Sequence, residues 1–541
     1  MLTSSSRNSF VVLVLVAALV LVLSGWLATT PSGAQTSKDL WLRLGISDGE
    51  GGGGRGGKHH GNGHAEVMLV PYDDSDEEDS EDAEPDSPMQ VPHHHANGGG
   101  GDDDGKGAGK GSVISKHEEE NAKLASAEPA KYLVRKLERN MALTASGSKA
   151  FKEYFAVQKM HRDALVHSAQ PDTSGARFIM YRCDNNMGCG GLGDRLNGIV
   201  TSFYLALLTD RAFLIRWTRG CPWTHFVRPA YFDWRVPEEK VDKLSLKEFF
   251  AMDHFRDVQQ FFSSEDVITG LRDFSLVTIN SNMPWADIFL DNPYFKANVE
   301  KYRLKELNDR GLLQAFALRA IMRPTSLIEG VLEHLAVAMM DQGHELHKLH
   351  FIGLQIRTGG DGDWWDPGRV PREKVPTFFD AALDIAHPAD GGSNNTLAIP
   401  RSQTLGPLKP VIFISTDSNK AITELTAYGK DKKVDVVTLE GLAGPITHID
   451  RSGNVGTIER NLRTWADWFM LMATDNLVIS RSGFGENAAA LTCLPSIFFG
   501  FPFDYTVATA HRMQQGFCTD YSDMRVRTLE RRITLTRTNF I

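Results

Sequence analysis

Cysteine is scarce in this sequence. Five cysteines in 541 residues cannot hold a fold of this size together, which excludes a small disulfide scaffold and leaves stability to apolar burial. Their odd number leaves at least one thiol unpaired. An excess of basic residues is missing as well: the formal net charge is −10, which argues against bulk nucleic-acid binding. The acidity is local. Residues 31–130 carry 21 Asp and Glu against 8 Lys and Arg, whereas residues 131–541 carry 47 against 49.

Residues 10–28 lack any charge over nineteen positions, close to the ~20 apolar residues that span a bilayer core as a helix. The stretch is read as a transmembrane signal anchor. The alternative is a cleaved signal peptide with its apolar part at 11–23 and its exit at Ser32-Gly33-Ala34. Either way the rest of the chain enters the secretory lumen, and Arg7 on the short side keeps the N-terminus cytosolic. Residues 29–130, with GGGGRGG and YDDSDEEDSEDAEPDSP, have almost no apolar periodicity and cannot offset their chain entropy, so they read as a disordered stem. His59-His60 and His93-His94-His95 read as low-complexity drift, not a metal site.

Ordinary amphipathic sequence begins near residue 130. Strands at 177–183 and 212–217 flank a helix at 192–208; strands at 349–357, 411–415, 434–439, 477–480 and 496–499 alternate with helices at 458–473 and 486–492. This is an α/β pattern. The expected organisation is a cytosolic tail (1–9), the anchor (10–28), the stem (29–130) and two Rossmann-like domains facing a cleft, 131–340 and 341–541, joined by a more helical 244–340 region.

Ligands of open α/β sheets sit beyond the carboxyl ends of strands. The 349–357 strand ends in Gln355-Ile356-Arg357 and runs into TGGDGDWWD, so Arg357 is placed to grip a phosphate with its fork of donors. The next strand ends in Ser415-Thr416-Asp417-Ser418, and the 477–480 strand in Ser480-Arg481-Ser482-Gly483-Phe484-Gly485. Backbone N–H groups at such a helix start form an anion site. Gly188-Cys189-Gly190-Gly191-Leu192-Gly193 satisfies G-x-G-x-x-G, but Trp217-Thr218-Arg219 ends the second strand where a dinucleotide site wants an acid, and Asp210 comes too early. The turn is therefore read as bringing Asp194, Arg195 and Asn197 to the cleft.

These segments in order, GCGGLGDRLNGIVTSFYLALLTDRAFLI, GLQIRTGGDGDW, FISTDS and WADWFMLMATDNLVISRSGFGENAA, resemble the fucosyltransferase superfamily of α-1,2- and α-1,6-fucosyltransferases and protein O-fucosyltransferases. The resemblance spans about residues 177–500. It implies a GT-B-type fold, GDP-fucose as donor held by the C-terminal domain, a glycan or glycoprotein hydroxyl as acceptor, and inversion without a metal or other cofactor. Arg357 resembles the arginine that contacts the GDP phosphates, Asp417 the residue after the second nucleotide-side strand, Ser480, Ser482 and Gly483 the phosphate-side turn, and Gly191, Gly193 and Arg195 the glycine turn. Two positions depart from the pattern: Gln355 replaces a His and Asp194 an Asn. Gln355 can still hydrogen-bond a guanine or ribose edge but cannot transfer a proton.

The expected protein is a single-pass type II glycosyltransferase of the Golgi or ER membrane. The alternatives are a transferase using another sugar nucleotide and a tethered carbohydrate-binding protein that has lost transfer. Arg357, Asp363 and Asp366 are the catalytic candidates, with Asp361, Asp363 and Asp366 considered for the general base. Gly191, Gly193, Asp194, Arg195, Asn197, Gln355, Asp361, Ser415, Thr416, Asp417, Ser480, Arg481, Ser482, Gly483 and Phe484 are the candidate donor-binding residues. Cys183 and Cys221 follow neighbouring strands and are expected to pair, as are Cys493 and Cys518, leaving Cys189 free. Asn394-Asn395-Thr396 is a glycosylation acceptor in a lumenal chain. Treating the secreted globular part with a glycan-removing enzyme should lower its mass, and an Asn394→Gln variant should abolish that shift; an unchanged wild-type mass argues against lumenal exposure of this loop.

Overall fold

The computed structural model describes residues 128–515 except 144, 171–173, 185–186, 251–254, 362–368, 387–407, 448, 450–456, 495 and 500–513. The tail, the anchor, nearly all of the stem, Asp363, Asp366, Asn394 and Cys518 lie outside the described residues. Among the described residues, no helix is long and apolar enough to cross a membrane.

Two helices, α1 (Tyr132–Met141) and α2 (Ala145–His167), precede the first sheet. That sheet is built from β1 (Phe178–Cys183), β2 (Ala212–Trp217), β4 (Leu246–Phe250) and β5 (Leu276–Asn280), in the order β2-β1-β5-β4. All its pairings are parallel. Helix α3 (Leu192–Leu208) connects β1 to β2. β3 (Val227–Pro229) and β6 (Met322–Pro324) form a separate antiparallel pair. Helices α4 (Leu313–Ile321) and α5 (Ser326–Asp341) lead to the second sheet. The 244–340 region, expected to be mainly helical, thus contributes two strands to the first sheet.

The second sheet runs β12-β11-β10-β7-β8-β9. Its strands are β7 (Leu349–Ile356), β8 (Lys409–Thr416), β9 (Asp435–Val437), β10 (Asn476–Ser480), β11 (Ser496–Phe499) and β12 (Gln514–Gln515), and only β12 pairs antiparallel. Helices α6 (Val375–Ala386), α7 (Asn419–Asp431), α8 (Ile458–Met472) and α9 (Gly483–Thr492) connect them. Every residue of β7 is buried, the continuous apolar run of a parallel strand covered on both faces. Ile352, Leu354 and Ile356 face Phe378 and Phe379 of α6, and Leu349 and Phe351 join the larger core on the opposite side. Strand order reverses between β7 and β10, so the ends of these two strands form a topological switch point, where open sheets bind ligands.

That larger core runs through both halves of the described chain. At its centre Trp465 of α8 stacks on Phe226 with ring centroids 5.7 Å apart, lies 5.7 Å from Trp217, and meets Trp223 at 6.5 Å. Helix α1 is tied to the second half: Lys136 pairs with Asp475 at 2.6 Å and Asn140 donates to the Met472 carbonyl at 2.8 Å. Burial pulls the Lys136 ammonium below its usual pKa, and the Asp475 charge opposes that shift.

The disulfides differ from expectation in the first half. Cys183 pairs with Cys189, their Cα atoms 6.0 Å apart, and Cys221 is the buried free thiol. The turn after β1 returns Cys189 to the strand end, whereas Cys221 lies four residues past Trp217, the register partner of Cys183, and packs into the core. Burial pushes its thiol up to about 11, so it is an inert apolar side chain. Cys493 is also disulfide-bonded.

Trp465→Ala should destabilise the protein by about 3–5 kcal/mol, since it empties a fully enclosed aromatic site. Urea unfolding followed by fluorescence and circular dichroism measures this; a loss under about 1 kcal/mol means the two halves hold together by other contacts.

Candidate functional site

Arg357 follows β7 directly, and Asp417 follows β8 across the parallel register that pairs Ile356 with Thr416. The two side chains meet at 2.7 Å, each with only 12% of its side chain exposed. The Asp417 carboxylate also accepts the Thr358 N–H and hydroxyl at 2.8 Å each and the Gly359 N–H at 2.9 Å. Gly359 and Gly360 adopt φ of 98° and 93°, a left-handed conformation that side chains disfavour, so the loop can wrap one carboxylate. The Arg357 N–H donates to the Ser480 hydroxyl at 2.9 Å, and that hydroxyl donates to Gln355 Oε1 at 3.3 Å. The ends of β7, β8 and β10 are thereby joined at the switch point.

Two helix starts abut beside these strand ends. A Cβ on Gly193 would lie 2.3 Å from the Gly483 carbonyl carbon, so the tips of α3 and α9 touch backbone to backbone. Gly191 caps α3, and its N–H donates to Asp194 at 2.9 Å. Ser482 caps α9, its hydroxyl accepting the Phe484 N–H at 3.4 Å. Trp468 Nε1 donates to the Phe484 carbonyl at 3.1 Å.

The predicted residues fall into two sets. Gln355, Arg357, Ser415, Thr416, Asp417, Ser480, Arg481, Ser482, Gly483 and Phe484 gather at the ends of β7, β8 and β10, and Gly191, Gly193, Asp194 and Asn197 adjoin them through α3. Arg195 is wholly buried. Its guanidinium donates to the Gly190 and Arg219 carbonyls at 2.9 Å each and covers the Trp217 ring at 4.7 Å, so it shapes the glycine turn from within. Asp361 sits at the start of α7, where it accepts the Ser418 hydroxyl and the Lys420 N–H at 3.1 Å, the work of a helix cap. The Thr416 hydroxyl is buried with no hydrogen-bond partner among the described residues.

Two carboxyls beside the site were not anticipated. Asp467 of α8 is buried against Arg463 at 2.8 Å and accepts the Ser415 hydroxyl at 3.5 Å. Burial pushes its pKa up to about 6 against the pull of Arg463. Glu486, in the first turn of α9, is half-buried and accepts the Ser482 N–H; burial raises its pKa against the attraction of Arg481, and Asp194 adds to the rise. A serine cap followed within a turn by a glutamate was the available signal for Glu486. Arg463 and Asp467, four apart, have the spacing of an ordinary helix ion pair, which carries no sign of burial. Among the described residues, no group of three or more His, Cys, Asp or Glu side chains is placed to hold a metal.

No family model matches the chain, and no curated protein matches it. Among solved structures it is similar to a mutant of Arabidopsis thaliana FUT1 in complex with GDP, at 16% identity over 66% of this chain and 79% of that one, with a TM-score of 0.46. It is similar to POFUT1 in complex with GDP, at 10% identity over 60% of this chain and 99% of that one, TM-score 0.33. For POFUT1 in complex with GDP-fucose the values are 11%, 61% and 99%, with a TM-score of 0.32.

The Asp467 carboxyl provides a pH test. Its pKa is higher folded, about 6, than the ordinary 3.8, so the folded state binds the extra proton between these values, and this group's contribution to stability is full below pH ~4 and lost as pH rises through ~6. An Asp467→Asn variant should therefore gain on wild type between pH 4 and 7, by on the order of 2 kcal/mol in unfolding free energy. Chemical denaturation at the two pH values reads this, and a wild type that gains on the variant with rising pH reverses the assignment.

Proposed function

We propose that the protein is an inverting glycosyltransferase that transfers L-fucose from GDP-fucose to a hydroxyl of a glycan or glycoprotein, without a metal, on the lumenal side of a Golgi or ER membrane. In this reading the fold is a GT-B-type pair of Rossmann-like halves, and the second half holds the nucleotide. The observation that carries the reading is Arg357 at the switch point, fixed by Asp417 at 2.7 Å. As the bond from sugar to diphosphate breaks, negative charge grows on the departing GDP. A guanidinium held in one orientation stabilises that charge without first losing side-chain freedom. The start of α9 adds backbone N–H groups and a helix dipole of the same sense. Asp417 keeps the arginine and the 357–359 loop in register. With Asp361 occupied at the start of α7, Asp363 and Asp366 are the remaining carboxylates of that loop proposed to take the acceptor proton.

One observation favours a second reading. Gln355 is buried, and its carbonyl oxygen accepts the Ser480 hydroxyl; an amide there cannot move a proton, as befits a tethered carbohydrate-binding protein with no transfer step.

GDP release from GDP-fucose, with a panel of glycan and glycopeptide acceptors and with or without chelator, separates the two. Wild type should release GDP in both conditions. Arg357→Ala should lose about a hundredfold or more in turnover, on the order of 3 kcal/mol, with a smaller loss in GDP affinity. Arg357→Lys keeps the charge without the fork and should fall between the two. A folded Arg357→Ala protein as active as wild type removes the role given to this arginine. Glycan binding without GDP release from any donor establishes the second reading.

A further inference from the structure

We propose that Asn487 is a positioning residue that sets the gap between the donor-side turn at Gly483 and the glycine turn of the first half at Gly193. The proposal rests on the reading above, in which the donor diphosphate lies against the start of α9.

Asn487 is 1% exposed and lies one turn into α9. Its Nδ2 donates to the Gly483 carbonyl at 2.6 Å and to the Gly193 carbonyl at 3.2 Å, so both hydrogens of one amide are used, one on each helix tip. Its Oδ1 accepts from Gln314 Nε2 of α4, and the same Gln314 nitrogen reaches Asn197 Oδ1 of α3 at 3.3 Å. Three amide side chains from three helices form one chain of hydrogen bonds beneath the point where the tips meet. The packing is close: Gly193 has no room for a Cβ against Gly483, and one amide nitrogen lies within hydrogen-bond distance of both tip carbonyls. With the amide between them the tips stay together, and Ser482 and the first N–H groups of α9 keep their position relative to Arg357. Asn487 is enclosed by protein and acts through the Gly483 turn, which makes it a positioning residue and not a catalytic one.

The test is titration of GDP into the full-length protein by calorimetry, together with KM and kcat for GDP-fucose. Asn487→Ala should weaken GDP binding at least tenfold and raise KM for GDP-fucose in parallel, with kcat changed by no more than about threefold. Gln314→Ala leaves the clamp in place but removes the donor that orients it, and should show a smaller loss in the same direction; it carries the test if Asn487→Ala does not fold. Asn292→Ala is the control for a purely structural amide: Asn292 is as deeply buried and donates to the Phe262 and Glu265 carbonyls at 3.0 Å each, away from the site. It should lower the unfolding midpoint while leaving GDP affinity within twofold of wild type. If Asn487→Ala and Gln314→Ala fold and bind GDP within twofold of wild type, the positioning role is overturned while the function stands. If wild type itself binds neither GDP nor GDP-fucose, the functional reading is overturned, and the positioning role with it, a result read on wild type alone.

Discussion

The site depends on helix α8 touching both halves of the described chain at once. From one side Trp465 enters the aromatic group of Trp217, Trp223 and Phe226. Two residues on, Asp467 reaches Ser415 near the end of β8. A helix turns about 100° per residue, so positions 465 and 467 diverge far enough to serve opposite neighbours. Large aromatic side chains contribute most of the burial in such a junction, and close packing makes it stiff. A shift of α8 by a fraction of an ångström would therefore be felt at both the glycine turn, through the Trp217 ring under Arg195, and the strand ends. The halves are not held by loops that happen to meet; they share one enclosed core.

On this base, electrostatics arranges the groups at the switch point. Asp417 accepts four hydrogen bonds from three successive residues, Arg357, Thr358 and Gly359. A carboxylate so engaged offers little to a ligand, and its effect is to convert a glycine-bearing loop into a fixed support for one guanidinium. Satisfying the backbone N–H groups of the loop with a side chain also removes the need for a ligand or water to do so. The arrangement is pre-organised, and pre-organisation is what gives a charged group its value toward a developing charge.

Much of this was legible beforehand. β1, β2, β11 and α3 were expected within a residue of where they lie, because each is an apolar run bounded by turn residues. β4 escaped because Leu246–Phe250 is partly or wholly exposed along its length, an edge strand without the alternation that marks a covered one. β5, with all five residues buried, escaped because a short apolar run between helical segments has no period of its own. In the site, strand-end logic located Arg357, Asp417 and Ser480, yet it could not pair Arg357 with Asp417 across sixty residues of chain. Pairing of that kind is fixed by parallel register, which becomes visible only when the sheet is assembled. Arg195 was expected at the cleft because the glycine turn was read as carrying it there, and it is instead buried over Trp217, its planar guanidinium meeting two carbonyls and a ring face.

The two departures from the fucosyltransferase pattern now have physical explanations, and they are of one kind. Gln355 lies under α9, its oxygen taking the Ser480 hydroxyl, and a Cβ on Gly485 would approach that oxygen to 2.6 Å. The residue is a strut between β7, β10 and the helix above. Asp194 accepts the Gly191 N–H and closes the first turn of α3, a helix N-terminus being where a carboxylate is stabilised. Each position holds a group already engaged by the protein, Gln355 by the Ser480 hydroxyl and Asp194 by the Gly191 N–H. Glu486, which takes the Ser482 N–H at the start of α9, follows the same course. The consequence for recognition is specific. Among the described residues, Arg357, Arg481 and the helix N-termini supply positive potential at the switch point, Arg369 also acts on Glu486 beside it, and the carboxylates at those same termini oppose it. In the proposed reading, a diphosphate entering here would compete with protein carboxylates for N–H groups, and its affinity would depend on how closely the two helix tips are held.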